Sequence, residues 1–388
     1  MRLLLASTML VGTLALTSSA AGSVRSNDHA RFMRVCAQAA SGFASCYAEV
    51  ATDASGNPAV SPAPFGYGPA QFHTAYGLVS AAAAASTQTI GIVDAFDDPN
   101  AEADLAAYAS AYGLPSCSSS SGCFRKVSQR GGTQYPRANQ SWALEISLDV
   151  EVAHATCPHC KLLLVEATNN STGSLTSAED YAAAHATVVS NSWGGSEFPR
   201  ETSYDGHFDH PGVATTVSSG DNGYGVQWPA SSPYVTAVGG TTLTVNADNT
   251  RSSETVWSGA GSGCSAYEPK PLWQNDTGCS HRTVADVSAV ADPQTGAAVF
   301  DSYGYQGLTG WFLEGGTSLS SPLIAAVYAL AANGGSTTYG SYPYGHSSDL
   351  YDVTYGTNGW WCGNYLCTAG VGYDGPTGLG TPFGTGGF

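Results

Sequence analysis

Three short stretches of the chain carry side chains whose types and spacing could do chemistry. In GGTSLSSP, Gly315 to Pro322, a serine stands between glycines and the apolar run LIAAVYALAA. That pattern suits a tight turn opening a buried helix. Ser318 is there either the cap of the helix, a common use of serine, or a hydroxyl presented for nucleophilic attack, and the octapeptide fits both. A nucleophilic serine needs a neighbour that takes its proton. The nine histidines offer no clear partner: none lies in an HGTH setting, and His154, within WALEISLDVEVAHA, reads as a helix-face residue packed near Cys157.

The segment around His154 holds another option. Glu145 and Asp149 are four residues apart, so on a helix they share a face about one turn from each other. Leu144, Leu148 and Val152 form an adjoining apolar stripe, so the helix reads as amphipathic. Two carboxyls that close repel when both are ionised; in a sheltered place they share a proton and titrate as a pair, while on a solvated face they are an ordinary acidic patch. Asp221, in VSSGDNGYG, follows the apolar run VATTV at a glycine-rich turn. Protonated, it would donate a hydrogen bond to a developing oxyanion; the alternative is a plain turn aspartate.

These side chains need elements to hold them. The runs TIGIVDAF, KLLLVEA, ATVVSNSW, VATTVSSGD and VTAVGG are short, β-rich and bounded by turn residues, and they alternate with the helical segments EADLAAYASAYG and SAEDYAAAHA. Buried strands alternating with helices predict an α/β fold: a parallel sheet with helices on both faces. Residues just past the strands then gather at the carboxyl edge of the sheet. With 388 residues and 43% hydrophobic content the chain can fill a sizeable core.

Charge narrows the partners. Against 30 Asp+Glu there are 13 Lys+Arg, a net −17, which repels nucleic acid and anionic membrane and excludes both as expected partners. Only 11% of residues are charged, and a surface of Ser, Thr, Gly, Asn and Tyr changes little when carboxylates protonate, which suits acidic surroundings. Residues 1–21, one arginine followed by a short apolar run and small residues, read as a cleavable secretory signal. The protein is therefore expected outside the cell, where disulfides persist. The ten cysteines fall in five local couples, Cys36 and Cys46, Cys117 and Cys123, Cys157 and Cys160, Cys264 and Cys279, Cys362 and Cys367. Nearest-neighbour bridges are the simplest pairing, with a redox or zinc role for CPHC, Cys157 to Cys160, as the alternative.

In this chain order, ALEISLD, SSGDNG and GGTSLSSP resemble the three signature regions of the sedolisin family, the serine-carboxyl peptidases with a subtilisin-like fold. The resemblance runs from about Tyr67 onward. It implies a subtilisin-like parallel sheet in a single catalytic domain, residues 63–388. It also implies that Ser318 is the nucleophile, Glu145 its general base, Asp149 the carboxyl that orients and shares a proton with Glu145, and Asp221 the oxyanion-hole acid. Protein or peptide substrates, action at acidic pH and a monomeric state are the matching expectations. SNSWGG and TIGIVDAF also look family-like: Trp193 is placed to wall the cleft and Asp94 to hydrogen-bond behind the carboxylate pair, although burial alone explains each equally well.

Near the C-terminus, LYDVTYG and AGVGYDGPTGLGTP set two aspartates beside glycine-rich turns, and oxygen donors of that kind suit Ca²⁺. A turn without metal fits the residues as well. The resemblance implies one structural calcium held by Asp352, by the carbonyls of Val353, Gly370 and Gly372, and by Asp374. Between these halves, YGTNGWWCGNYLCT reads as a stapled loop. The family is made with a large folded prosegment, for which this sequence offers residues 22–62, a reduced inhibitor or none. A non-catalytic secreted protein binding peptides or polysaccharide on the same scaffold is the competing expectation.

Overall fold

The computed structural model describes residues 31–359 and 361–388. The expected signal, residues 1–21, lies outside them. The strands Arg251–Val256, Thr236–Val245, Ala214–Ser218, Val188–Asn191, Thr89–Ala95, Lys161–Ala167 and Phe124–Ser128 lie side by side in that order, and Val287–Val290 also pairs with Thr236–Val245. Every pairing among them is parallel except that of Arg251–Val256. Continuous apolar runs such as TIGIVDA form these strands because both of their faces are covered.

The helices that cover them can be placed by neighbouring threonines. The Thr215 hydroxyl donates to Glu179 of helix Thr172–Ala183, whereas the Thr216 hydroxyl reaches Ser321 of helix Thr317–Ala331. Successive strand residues point to opposite faces, so these helices sit on opposite sides of the sheet, as the alternation in the sequence predicts. Chain order reverses at Thr89–Ala95: the next two strands lie on one side of it and the following ones on the other. Such a reversal leaves a crevice past the carboxyl ends of the strands, and Asp94 and Ser192 mark it.

A second, antiparallel sheet is ordered Arg31–Arg34, Glu49–Thr52, Leu308–Gly315, Ala297–Tyr305. Its strand Leu308–Gly315 runs directly into the turn that carries Ser318. Residues of the N-terminal region are thus strands of the same body that bears the site.

Helix Gln140–Thr156 departs from expectation. It is capped by Asn139, whose side chain accepts the backbone N–H groups of Ser141 and Trp142. From Trp142 to Thr156 it is buried on every side, because helix Thr317–Ala331, helix Ala101–Tyr112, strand Ala297–Tyr305 and the main sheet all pack against it. It is not amphipathic, and its acids face protein, not water. All five disulfides join nearest neighbours: Cys36–Cys46, Cys117–Cys123, Cys157–Cys160, Cys264–Cys279 and Cys362–Cys367. Both Cys157 and Cys160 are fully buried, so CPHC is a structural bridge.

Candidate active site

Ser318 lies in the first turn of helix Thr317–Ala331. The residue before that helix, Gly316, has φ +95°, and a β-carbon there would overlap both the Tyr47 carbonyl oxygen and the Asp221 carboxyl. Glycine is required on both counts. Four residues beyond Ser318, Pro322 has no N–H to offer the Ser318 carbonyl; that carbonyl instead accepts from the Ser192 hydroxyl at 3.4 Å. The Ser318 hydroxyl donates to the Ser192 carbonyl at 3.2 Å and accepts the Tyr47 N–H at 3.1 Å.

Beside it, three carboxyls converge. Single oxygens of Asp94, Glu145 and Asp149 lie within 4.8 Å of one another, and all three residues are fully buried. Only one of their six oxygens has a hydrogen-bond partner: Asp149 Oδ1 accepts the Ser192 hydroxyl at 2.8 Å. Burial raises Glu145 well above the ordinary carboxyl range, with Asp149 and Asp94 pushing it further, while the nearby Ser318 hydroxyl pulls the other way. Asp149 rises through burial and then Asp94; burial takes Asp94 up to about 8. Three acids that cannot all ionise hold protons between them. A base that keeps a proton supply beside a serine hydroxyl is suited to moving that proton in both directions.

Asp221 follows strand Ala214–Ser218 and bonds to Thr317, the residue before Ser318. Its Oδ1 accepts the Thr317 N–H at 2.8 Å and the Thr317 hydroxyl at 2.7 Å; its Oδ2 has no partner. Burial and then Glu49 raise its pKa strongly, more than Thr317 and Arg34 lower it. That direction favours the protonated acid, and Oδ2 is the oxygen left without a partner.

All four residues singled out in the sequence therefore meet at one buried place. Asp94 joins the carboxyls, without a hydrogen bond of its own. The Trp193 side chain does not wall the cleft: its indole is fully buried and donates to the Val93 carbonyl at 3.0 Å, while the backbone of its strand, Trp193–Ser196, forms the edge. His154 is buried against the Pro115 carbonyl at 2.9 Å. Among the described residues no histidine bonds to Ser318.

Ser192, Thr317, Glu314 and Tyr47 were not legible as site residues. Glu314, fully buried with both oxygens unpartnered, adds to the repulsion on Glu145 and Asp149. A glutamate immediately before GGTS was the available signal. Ser192 lay inside SNSWGG, but nothing in that hexapeptide points at Asp149.

At the C-terminal loop, Asp352 Oδ2 accepts the Gly372 N–H at 2.8 Å and Asp374 Oδ2 accepts the Gly370 N–H at 3.0 Å. One turn thus ties both aspartates together, and the Cys362–Cys367 bridge closes the intervening segment.

Comparison with known proteins gives the family from sequence and fold. The model for the subtilase family matches residues 137–339, more than half of the 388. Sedolisin from Pseudomonas sp. (strain 101) is 31% identical over 362 residues, covering 81% of this chain and 60% of that protein. Kumamolisin from Bacillus sp. (strain MN-32) is 32% identical over 302 residues, covering 66% of this chain and 52% of that protein. The chain thus spans 60% or less of the length of these relatives. The solved structure of Pseudomonas sedolisin, a serine-carboxyl proteinase complexed with two molecules of pseudo-iodotyrostatin, superposes with a TM-score of 0.69 at 29% identity, covering 82% of this chain and 96% of that one. By sequence and by fold, the chain belongs to the subtilase family and is one of its sedolisin-like members.

Proposed function

We propose that this chain is an exported serine-carboxyl peptidase that cleaves peptide bonds in acidic surroundings through an acyl-enzyme on Ser318. The observation that carries this is the buried Asp94–Glu145–Asp149 cluster beside the Ser318 hydroxyl, with another buried acid, Asp221, bonded to the neighbouring Thr317. Glu145 takes the Ser318 proton as the hydroxyl attacks the substrate carbonyl. Asp149, steadied by Ser192, and Asp94 behind it accommodate the shifting charge by sharing protons with Glu145. The Ser318 N–H and protonated Asp221 donate to the oxyanion. Glu145 then returns the proton to the leaving amine, and a water deprotonated by Glu145 releases the acid.

The cycle needs one ionised carboxyl in the cluster and a proton on Asp221, so activity falls at both ends of the pH range; the acid position of its peak is carried by the family resemblance. The five bridges support an oxidising destination, and no helix among the described residues is long and apolar enough to cross a membrane. The enzyme works as a monomer on protein or peptide substrates.

One structural Ca²⁺ completes the proposal. The fit rests on the C-terminal turn, where two carboxylates already fold over the same glycine-rich backbone. Asp352, Asp374 and the carbonyls of Val353, Gly370 and Gly372 are hard oxygen donors of the kind calcium takes. The ion would hold this loop together and take no part in bond cleavage.

The test is hydrolysis of a denatured protein from about pH 2 to about pH 8 beside Ser318→Ala. An acid-peaked activity absent from the variant is expected. A correctly folded, calcium-loaded protein inactive at every pH would turn the assignment to a binding scaffold.

A further inference from the structure

The stapled loop near the C-terminus has no part in the chemistry so far, yet it is built onto the turn that carries Asp221. That turn is rich in glycine and is held by its backbone. The Gly223 N–H donates to the Gly259 carbonyl at 2.7 Å, the Gly220 carbonyl accepts the Gly261 N–H at 2.7 Å, and the Gly225 N–H donates to the Ser262 carbonyl at 2.8 Å. Residues 220–225 are thereby laced to residues 259–262. Toward Ser318 the same turn meets Thr317, whose hydroxyl accepts the Gly220 N–H at 3.1 Å and donates to Asp221 at 2.7 Å. Arg34 donates to the Asp221 carbonyl at 3.1 Å.

Asn358, a buried residue, clasps both laced segments at once. Its carbonyl accepts the Tyr224 N–H at 3.0 Å, and its side-chain amide donates to the Ala260 carbonyl at 2.6 Å and to the Ser262 hydroxyl at 2.7 Å. Gly223, at φ +68°, lets the turn come this close: a β-carbon there would sit 2.8 Å from the Asn358 carbonyl oxygen. The staple holds Asn358 in turn. Its N–H donates to the Cys367 carbonyl at 3.0 Å, the Thr357 hydroxyl donates to that carbonyl at 2.7 Å, and Thr357 stands opposite Thr368 in an antiparallel bridge. Cys367 is bonded to Cys362, and the Ser262 hydroxyl donates at 2.6 Å to the carbonyl of Leu366, the residue before Cys367.

We propose that Asn358 is a positioning residue for the reaction: by clasping the Asp221 turn to residues 259–262 it sets where the Asp221 carboxyl stands relative to the oxyanion, and the Cys362–Cys367 staple keeps the clasp shut. The inference rests on the peptidase reading, in which Asp221 donates to that oxyanion. Such a donor serves only within about 2.7–3.1 Å of the developing charge, and a misplacement of about 1 Å costs on the order of 10²-fold in rate. Thr317 fixes the start of the turn, at Gly220 and Asp221. Asn358 fixes its later half, at Tyr224 and, through Ser262, at Gly225, so that the turn does not pivot on Thr317. Shortening the Asn358 side chain takes this donor from both the Ala260 carbonyl and the Ser262 hydroxyl. Residues 259–262 and the turn laced to them then lose their common anchor, and Asp221 loses its aim.

The test is a double-mutant cycle on hydrolysis of one peptide, run at acid pH and below the melting temperature of every variant. Asn358→Ala is expected to lower kcat by about 10 to 100-fold with KM within about twofold of the parent. In an Asp221→Ala background, where no acid is left to place, the same substitution is expected to lower kcat by less than about threefold. Cys362→Ser together with Cys367→Ser keeps Asn358 but opens the staple; it should lower kcat by about threefold or more and lose that effect when Asp221 is absent. Should Asn358→Ala not fold, Asn358→Ser and the staple variant carry the same cycle. Losses that multiply in full in the Asp221→Ala background, as a merely structural residue gives, overturn the inference and leave the peptidase assignment standing. So does a loss carried by KM, or a kcat within about twofold of the parent in both the Asn358 and the staple variants. A parent chain that cleaves no peptide at any pH overturns both.

Discussion

Two buried clusters of charge in this molecule are built in opposite ways. Arg282 and Asp286 are both fully buried, and everything about them is satisfied. The guanidinium donates to Asp286, to the carbonyls of Thr283, Ser232 and Val235, and lies 5.1 Å from the Trp273 ring centre. Asp286 in turn accepts from the Ala237 N–H, the Tyr344 hydroxyl and Gln274. Around Ser318 the acids are equally buried, yet Asp94, Glu145, Asp149 and Asp221 leave six oxygens without a partner between them. A saturated network holds one geometry. Unsaturated acids repel one another and exchange protons, which costs stability and serves chemistry.

That contrast can be broken by substitution, beginning with the largest effect. Ser318→Ala and Glu145→Gln should lower kcat on the order of 10⁴ to 10⁶-fold, and Glu145→Gln should leave Tm unchanged or raised, since it removes a buried acid that repels its neighbours; a residual activity within about tenfold of the parent contradicts their roles. Arg282→Met should do the reverse, costing about 3–5 kcal/mol of stability by stranding Asp286, with kcat per folded molecule preserved. A denaturant titration unchanged from the parent would show that the saturated pair is not structural.

Asp221→Asn, which keeps a donor but alters its reach, should reduce kcat by about 10² to 10³-fold and leave KM nearly the same, as expected for a group that binds only the oxyanion. A smaller effect spreads over the whole fold. Burial takes Asp98 and Glu179 up to about 8 and Glu166 up to about 9, against about 4 in an unfolded chain. Between those values the folded state binds more protons than the unfolded one, so this stability is fully present below about pH 4 and lost as pH rises to 8 or 9. Melting should therefore occur at higher temperature near pH 4 than near pH 8, and the opposite slope would refute the proton count. Calcium removal should be smallest: a chelator, or Asp374→Asn, lowers Tm by a few degrees, in line with about 2.7 kcal/mol at a hundredfold excess of ion over Kd, and leaves the pH profile of kcat in place.

Much of the site was legible before any fold was known. The spacing of Glu145 and Asp149 already put two carboxyls one helical turn apart, and the glycines around Ser318 already required a tight turn, because i to i+4 geometry and positive φ are local properties. The alternation of apolar strands and helices in the chain was enough for the sheet and its two covered faces. Disulfide pairing followed from closeness along the chain in all five cases.

What lay beyond the sequence was every relation between distant segments. Helix Gln140–Thr156 looked amphipathic because its apolar stripe is real; only the packing of four other elements around it shows that its acids are buried as well. Ser192 and Asp149 are 43 residues apart, Thr317 and Asp221 are 96 apart, and Tyr47 reaches Ser318 across 271. By itself the sequence determined which residues were chemically able and how each sits within its own turn, since those depend on backbone geometry over a few residues. The tertiary structure alone decided which acids are buried together and which strand lies beside Ser318, because desolvation and charge repulsion act through space and have no local trace in the chain.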